Sequence, residues 1–322
     1  MKKCAVIGSI NMDLVVGTPR FPAPGETITG SIFRSVPGGK GANQAVALAR
    51  LGVETRMAGM VGDDGFGQTY LEHFRKNGVN VEAVETRPGA TTGLANILVS
   101  DDGENVIVLV PGANALCDGE WLERALAQTA QCDVFLLQLE LPLDTVCKCV
   151  ERLHAAGKTV VLDPAPAVPL PRTLLEQTDF LTPNETELRL VTAELPEDAD
   201  MAARIAHLVG DSDRTVIHKR GGDGAYIGTK RGVVHVPGFR VKAVDTTAAG
   251  DTFNAGFAAG LAMGMDLKRA VRLGNAAGAL AVTAFGAQDG MPSLEQAEKL
   301  IAEQSVDGGA SSPATTTPTS FR

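Results

Sequence analysis

The alternation of helical and strand-like segments from residue 118 onward restricts the fold of this chain more than any other feature. We predict helices at 119–129, 143–157, 184–193 and 199–210, and strands at 133–139, 159–163, 178–181 and 215–219. Alternating units of this kind are typical of a parallel sheet with helices on both faces. An apolar strand at 3–7 and small-residue helices at 249–264 and 267–284 extend the pattern. The sequence therefore predicts an α/β fold with a central, mainly parallel sheet flanked by helices.

Two segments do not fit the main body. Residues 14–36 contain three prolines followed by an alternating stretch, and residues 94–110 contain two β-rich runs on either side of an Asp-Asp-Gly-Glu turn. We predict that these segments form a small β-sheet outside the main sheet. The domain prediction is one domain over residues 1–304, followed by a disordered tail at 305–322, because that tail of Gly, Ser, Thr and Pro has little apolar surface to bury.

Composition excludes several classes of partner. The net charge is −9 and no basic run occurs, whereas affinity for nucleic acid needs clustered Lys and Arg. No apolar stretch reaches the length of a membrane span. The five cysteines are odd in number and form no C-x-x-C pair, which favours free thiols in a reducing compartment. We expect a cytoplasmic protein with neither nucleic acid nor membrane as a partner.

The segment 245–254 is the most informative motif. Ala248, Ala249 and Gly250 are small and precede a predicted helix, so their backbone amides can face an anion at its positive end. Asp251 lies beside these amides and can accept a proton from an attacking hydroxyl. The alternative is that Asp251 only complements the helix dipole. The motif favours phosphoryl transfer, which depends mostly on positioning and electrostatic stabilisation.

Polar side chains near the first strand and the first helix suit a sugar. Asn11 and Asp13 lie two residues apart on extended chain and offer donors and acceptors to hydroxyls, or else form local loop bonds. Lys40 and Asn43 lie in a glycine-rich segment that either approaches a ligand or is a simple turn. Glu140 ends a predicted strand, where it either faces a ligand crevice or caps the next helix.

Asn184 and Glu187 share one face of a predicted helix start. Near phosphates, such a pair can orient water around Mg²⁺. The same spacing fits a helix N-cap with a capping-box glutamate, and the two interpretations are compatible.

Taken together, the motifs resemble the ribokinase family of carbohydrate kinases. Gly-Ser-Ile-Asn-Met-Asp, Gly-Gly-Lys-Gly-Ala-Asn-Gln, Thr-Pro-Asn-Glu-Thr-Glu and Asp-Thr-Thr-Ala-Ala-Gly-Asp-Thr-Phe-Asn follow the family's order across about residues 3–302. The resemblance implies an ATP-dependent enzyme that phosphorylates a small furanose sugar such as ribose. It also implies one α/β domain whose small β-sheet is a lid, often used to form a homodimer.

The resemblance further implies roles for individual residues. Sugar contacts are implied for Asn11, Asp13, Gly39, Lys40, Asn43 and Glu140, with Asp251 as catalytic base and the amides of Ala248, Ala249 and Gly250 on the transferred phosphate. ATP contacts are implied for Asn184, Lys219, Arg220, Gly221, Gly224, Gly250 and Asn275, with Mg²⁺ held through water by Glu187. A K⁺ loop is implied for Asp245, Thr247, Ala281, Ala284, Gly286 and Gly290.

Three departures from the family pattern concern the nucleotide and the cation. Lys219-Arg220 stands where Thr-Leu is usual, Asn275 replaces a frequent His, and Gly290 occupies a position where Ser is common. The alternatives are a kinase of deoxyribose, another furanose or a nucleoside, and a non-catalytic sugar-binding protein on the same scaffold. The intact pair of Gly250 and Asp251 argues against the last of these.

Overall fold

The structure, a computed structural model, describes residues 1–306. Its last helix extends through Val306, so the first two residues of the predicted tail are helical. Residues 307–322, the rest of that predicted tail, lie outside the described part of the chain.

The main sheet of the described region has nine strands, and most of its pairs are parallel. They are β1 (Cys4–Ile7), β4 (Thr55–Gly62), β5 (Asn80–Arg87), β8 (Val134–Leu137), β9 (Thr159–Leu162), β10 (Phe180–Leu181), β11 (Thr215–Lys219), β12 (Gly224–Thr229) and β13 (Gly232–Pro237). Their order across the sheet is β13-β12-β11-β10-β9-β8-β1-β4-β5, and only the pairs β11–β12 and β12–β13 are antiparallel. Parallel strands need crossover helices, which cover both faces.

A second sheet of four strands lies apart from the main one. It contains β2 (Asn11–Thr18), β3 (Ile32–Gly38), β6 (Gly93–Ser100) and β7 (Asn105–Val110), in the order β3-β2-β6-β7. Its outer pairs are antiparallel and its central pair, β2–β6, is parallel. The predicted fold class, a mainly parallel sheet flanked by helices with a small additional sheet, is confirmed.

Helices pack on both faces of the main sheet. They are α1 (Lys40–Arg50), α2 (Gly65–Lys76), α3 (Gly119–Thr129), α4 (Leu143–Ala155), α5 (Arg172–Glu176), α6 (Glu185–Val191), α7 (Met201–Val209), α8 (Ala249–Ala262), α9 (Leu267–Ala281) and α10 (Leu294–Val306). One apolar core joins the sheet to α1, α8 and α9 through residues such as Val46, Phe257 and Leu273. The other core joins it to α3, α4 and α7 through Trp121, Val150 and Leu208.

Small residues let α8 approach α9 closely. A Cβ atom on Gly260 would lie 2.6 Å from the Cα of Ala270, and one on Gly256 would lie 2.9 Å from the Cα of Gly274. Real Cβ atoms do not make such contacts, so larger residues here would separate the helices. The close packing fixes α8, whose amino end forms part of the candidate site.

Candidate active site

A cavity of about 810 Å³ lies where β9 and β11 end and where α6 and α8 begin. The residues that line it include many of those predicted from the sequence: Lys40, Asn184, Glu187, Lys219, Gly221, Gly224, Ala248, Ala249, Gly250, Asp251 and Asn275. Ligands of open α/β sheets bind at the carboxyl ends of the strands. The cavity has that position, and its volume is in the range of small-molecule sites.

Asp251 is a buried carboxylate held by two amide donors. Its Oδ2 atom accepts a hydrogen bond from Asn43 Nδ2 at 3.0 Å, and its Oδ1 atom accepts one from Gln44 Nε2 at 3.2 Å. Burial raises the pKa of Asp251, while the charge of Lys40 and the two amide donors act in the opposite direction. The donors favour the ionised form, which is the form able to accept a proton.

The first turn of α8 has backbone amides free of any capping side chain. Ala248 precedes the helix with φ = 58°, a left-handed value found at no other non-glycine residue of the described chain. The amides of the first helical turn lack intrahelical partners, and here they border the cavity. The ammonium of Lys219 lies 3.6 Å from where a Cβ of Gly250 would be. Helix amides and an ammonium group together form a site suited to phosphate.

Lys219 is buried and paired with carboxylates. Its Nζ atom lies 2.9 Å from Asp163 Oδ1 and 3.9 Å from Glu187 Oε2. Asp163 follows β9 directly, and its Oδ2 atom also accepts a hydrogen bond from Gln44 Nε2 at 3.2 Å. Gln44 therefore bridges Asp163 and Asp251. Asp163 was not predicted as a site residue, although it ends a predicted strand in the same way that Glu140 does.

Glu140 connects the second-sheet side of the site to α1. Its Oε2 atom accepts hydrogen bonds from Ser9 Oγ at 2.5 Å, from the Lys40 backbone N–H at 3.1 Å and from Asn11 Nδ2 at 3.4 Å. Asn11 Oδ1 in turn accepts from Asn114 Nδ2 at 2.8 Å. These contacts fix Asn11, Lys40 and Glu140 in one cluster. Asn114 carries no motif that would have revealed it from the sequence.

Asp13 lies against the glycines that precede α1. A side chain at Gly38 would overlap the carboxylate of Asp13, and a Cβ on Gly39, whose φ is 88°, would lie 2.6 Å from the Asn11 backbone nitrogen. Burial raises the pKa of Asp13 to about 7, and the negative charges of Glu140 and Asp251 add to the effect. Asp13 is therefore an acceptor whose charge is poorly compensated.

Lys40 supplies positive charge among the carboxylates of the cavity. Burial alone would lower its pKa, but the negative charges of nearby carboxylates outweigh burial and raise the pKa above the ordinary value. These carboxylates are Asp251, Asp163, Glu140 and Glu187. Lys40 therefore stays protonated over the physiological range.

Asn184 and Glu187 form the predicted capping box at the start of α6. Asn184 Oδ1 accepts from the Glu187 backbone N–H at 2.8 Å, and Glu187 Oε2 accepts from the Asn184 backbone N–H at 2.7 Å. Both residues also line the cavity. Burial is the main cause that raises the pKa of Glu187, and Lys219 opposes it. The structural role and a role towards a ligand are thus compatible.

Two predicted nucleotide contacts have other partners. Asn275 donates both hydrogens of its Nδ2 group to backbone oxygens, Val236 O at 3.0 Å and Pro237 O at 3.1 Å, although the residue borders the cavity. Arg220 is not among the lining residues, but its Nε atom lies 3.2 Å from Oε1 of Glu185, which does line the cavity. The ATP contact implied for Arg220 stays a prediction.

The predicted cation loop is assembled by Asp245. Its Oδ1 atom accepts from the N–H and Oγ1 of Thr247 at 2.9 and 2.6 Å, and its Oδ2 atom accepts from the Gly286 backbone N–H at 2.9 Å. Burial alone would raise the pKa of Asp245, but these hydrogen bonds outweigh it and hold the pKa below the ordinary value. A Cβ on Gly290 would overlap the carbonyl oxygen of Ala281.

The loop is therefore held at Gly286 by the carboxylate of Asp245 and at Gly290 by close approach to the backbone of Ala281. Ala284 lies within the turn between Ala281 and Gly286. Within the described chain, no cluster of three or more His, Cys, Asp or Glu side chains is arranged to hold a metal ion.

A buried carboxylate, the amides at the start of a helix and an inward-facing lysine in one cavity fit a phosphotransferase with an alcohol group as acceptor. The model of the pfkB family carbohydrate kinases matches residues 1–294, and the chain belongs to this family. The sequence-based family resemblance is thus confirmed. Across residues 1–306, none of the helices has the length and apolar character needed to cross a bilayer.

The chain is also similar to individual proteins over nearly its whole length. The chain is 41% identical over 301 residues to a ribokinase of Bacillus subtilis, an alignment that spans 94% of this chain and 100% of that one. It is 38% identical over 295 residues to a deoxyribokinase of Salmonella typhi, spanning 91% and 96% of the two chains. The structure of Arabidopsis thaliana ribokinase complexed with ribose and ATP superposes with a TM-score of 0.86 at 31% identity, covering 93% of this chain and 98% of that one.

Proposed function

We propose that this kinase transfers the γ-phosphate of ATP to the 5-hydroxyl of D-ribose and gives ribose 5-phosphate and ADP. The observation that carries the proposal is the contact between Asn43 and Asp251, which joins the polar cluster near the second sheet to the base at the start of α8. The similarity to the Bacillus subtilis ribokinase and to the ribose- and ATP-bound Arabidopsis enzyme supports it.

The polar cluster is the proposed sugar site. Asn11, Asp13, Asn43 and Glu140 offer amide and carboxylate groups to ring hydroxyls, and Gly39 and Lys40 place backbone close to them. Asp251 accepts the proton of the 5-hydroxyl as that oxygen attacks phosphorus.

The other half of the cavity is the proposed ATP site. The residues that would border the nucleotide are Asn184, Lys219, Gly221, Gly224 and Asn275. The amides of Ala248, Ala249 and Gly250 and the ammonium of Lys219 would stabilise the charge that develops on the transferred phosphoryl group.

The donor set around Glu187 fits Mg²⁺ held through water. Both oxygens of Glu187 already accept hydrogen bonds from Asn184, so the carboxylate suits a water of the metal shell better than direct ligation. Bound with ATP, Mg²⁺ would neutralise phosphate charge.

We also propose that K⁺ binds the loop of Asp245, Thr247, Ala281, Ala284, Gly286 and Gly290, whose backbone oxygens suit a weakly hydrated cation.

We further propose that the chain acts in the cytoplasm as a homodimer joined through its second sheet. Five free thiols, four of them buried, suit a reducing compartment. Strand β7 exposes apolar side chains along its whole length, which favours burial against a second copy.

The replacement Asp251→Asn tests the mechanism. It keeps the shape of the side chain but removes the base, so kcat should fall by about 10²- to 10⁴-fold. Sugar affinity, measured by calorimetry on the same protein, should be largely kept. Turnover close to that of the wild type would mean that another group is the base.

A comparison of kcat/KM for two sugars tests the assignment of ribose as the substrate. Loss of one buried hydroxyl partner costs about 1–3 kcal/mol, so kcat/KM for ribose should exceed that for 2-deoxyribose by roughly 5- to 150-fold. The similarity to the Salmonella deoxyribokinase makes deoxyribose the second candidate. Equal or higher kcat/KM on deoxyribose, with Asp251→Asn as the inactive control for both sugars, would replace the ribose assignment.

A further inference from the structure

Gln288 lies behind the catalytic base and has no part in the function proposed above. The residue is buried, with 3% of its surface exposed, and belongs to the 281–290 segment. Its Nε2 group donates to Asn43 Oδ1 at 2.9 Å and to the Tyr70 hydroxyl at 3.1 Å, so both of its hydrogens are used. Asn43 is the residue whose Nδ2 group donates to Asp251.

The contact with Gln288 favours the same orientation of the Asn43 amide as the contact with Asp251 does. An amide has a donor end and an acceptor end of nearly equal size, so packing alone does not distinguish its two orientations. A donor from Gln288 to Asn43 Oδ1 leaves Asn43 Nδ2 facing Asp251. In the reversed orientation, two nitrogens would meet at Gln288 and two oxygens would meet at Asp251.

The orientation of Gln288 is itself fixed. Its Oε1 atom lies 2.6 Å from His73 Nε2, and Asn77 Nδ2 lies 3.3 Å from the same nitrogen, so this contact agrees with the orientation of Gln288 when Nε2 carries a hydrogen. Tyr70 passes its own hydrogen to the Gly38 carbonyl at 2.5 Å, so its oxygen is left to accept from Gln288. Arg50 holds the backbone of the segment through Gln288 O and Met291 O, at 2.6 and 3.2 Å.

We propose that Gln288 is a positioning residue for the catalytic base. It holds Asn43 with its donor end towards Asp251 and so connects the 281–290 loop to the base. The expected effect on kcat rests on the proposed function. The orientation of Asn43 towards Asp251 does not. Lys40, Asp163 and Asp13 also act on the charge of Asp251, and all three are left unchanged by substitutions at position 288.

The test compares three variants by the pH at which Asp251 titrates. Gln288→Leu removes the donor, and Gln288→Glu offers only acceptor oxygens when ionised, so it favours the reversed Asn43. Tyr70→Phe is the matched control, because it removes the other partner of the same Nε2 group and keeps the contact with Asn43. Loss of a hydrogen-bond donor raises a carboxyl pKa, so both Gln288 variants should shift the Asp251 titration upward, by about 0.5–1 unit.

Two readouts separate this inference from the proposed function. The first is ¹³C NMR of carboxyl-labelled protein, in which the Asp251 signal is identified by its loss in Asp251→Asn; it needs no catalysis. The second is the acidic limb of the kcat–pH profile, whose position does not depend on the fraction of active protein. In the Gln288 variants kcat should also fall by about 3- to 30-fold at neutral pH, with little change in KM for ATP.

The outcomes are distinct. An upward shift in both Gln288 variants, with Tyr70→Phe unmoved, supports the positioning role. An Asp251 titration that stays in place in both would overturn it, even if kcat falls, because the residue would then only support the loop. A wild type without sugar kinase activity would refute the proposed function, and the NMR titration would still decide the role of Gln288.

Discussion

Carboxyl groups outnumber ammonium groups around the cavity. The negative charges of Glu140 and Asp251 raise the pKa of Asp13, and ammonium groups are supplied by Lys40 and Lys219. Negative charges at short distance disfavour ionisation of a neighbouring carboxyl group. The site is thus arranged for ligands that bring donors and compensating charge.

Asp13→Asn should remove the repulsion on this carboxylate, and the protein should therefore gain stability in a pH-dependent way. The folded pKa of Asp13 is raised to about 7, so between about pH 4 and 7 the folded state binds a proton that the unfolded state has lost. The contribution of Asp13 to stability is therefore fully present at low pH and is lost as the pH rises through 7. The variant should melt above the wild type at pH 8, by ~1–2 °C per kcal/mol of destabilisation removed, and show no such gain at pH 4.5.

Asp245→Asn is the control with the opposite sign, to be followed in the same thermal melts. The folded pKa of Asp245 is lowered, so this carboxylate stabilises the fold above its unfolded pKa. Its replacement should lower the melting temperature at pH 8, and the loss should shrink as the pH falls through the folded pKa. A lower melting temperature for Asp13→Asn at pH 8 would contradict the charge argument.

At the scale of elements, the start of α8 depends on a neighbouring segment. Asp245 joins the turn before α8 to the 281–290 loop that follows α9. Ala248, one residue before the helix, has the left-handed φ of 58°, which a non-glycine residue keeps only when its surroundings impose it. Order in the loop should therefore be transmitted to the amides at the start of α8, which are the proposed phosphate contacts.

K⁺ should accordingly raise kcat more than it lowers KM, and Asp245→Ala should lose most of the effect. The assay uses tetramethylammonium buffer with K⁺ titrated in at constant ionic strength. Asp289→Ala, which removes an exposed charge from the same segment, is the control and should keep the activation. A flat response of the wild type would refute the cation loop, and the glycine at position 290 would be the first explanation to examine.

The sequence predicted most elements of the second half of the chain, because their apolar periods are long and separated by clear turns. It predicted no element for residues 52–93, where β4, α2 and β5 lie, nor for α10. The helix α2 carries a weak apolar stripe, with only Gly67, Tyr70 and Phe74 buried.

The residues of the candidate site also divide into those that the sequence predicted and those that it did not. Residues in compact motifs, such as Lys40, Asn43 and Asp251, were predicted from the residues beside them. Asn114, Asp163 and Gln288 were missed, because each acts on a partner more than 50 residues away and its local sequence does not show that partner.

At the scale of the whole molecule, the second sheet has a row of apolar side chains that residues 1–306 leave exposed. Every residue of β7 is exposed, and Ile107 and Val108 on this strand expose 54% and 59% of their surface. Phe33 on β3, at the other edge, exposes 66%. An uncovered apolar edge strand favours pairing with another chain, so a specific dimer is the expected use of this surface.

Ile107→Glu should therefore convert a dimer into a monomer in sedimentation velocity at micromolar concentration. Val234→Glu is the matched control, because Val234 lies on β13 of the main sheet with a similar exposure of 51%. The control should remain dimeric. A wild type that sediments as a monomer would contradict dimerisation through the second sheet.

The hydrogen bonds behind the proposed base join residues that a ribosome adds far apart in time. Asn43 is separated from Asp251 by 208 residues and from Gln288 by 245. A ribosome that adds about 5–20 residues per second makes α1 and then needs roughly 10–50 s to reach the residue that orients it. A nascent chain halted before Gln288 would already contain every proposed sugar contact and the base itself, but not the orientation of Asn43 that joins them. Full activity should consequently appear only late in translation, after Gln288 has been added.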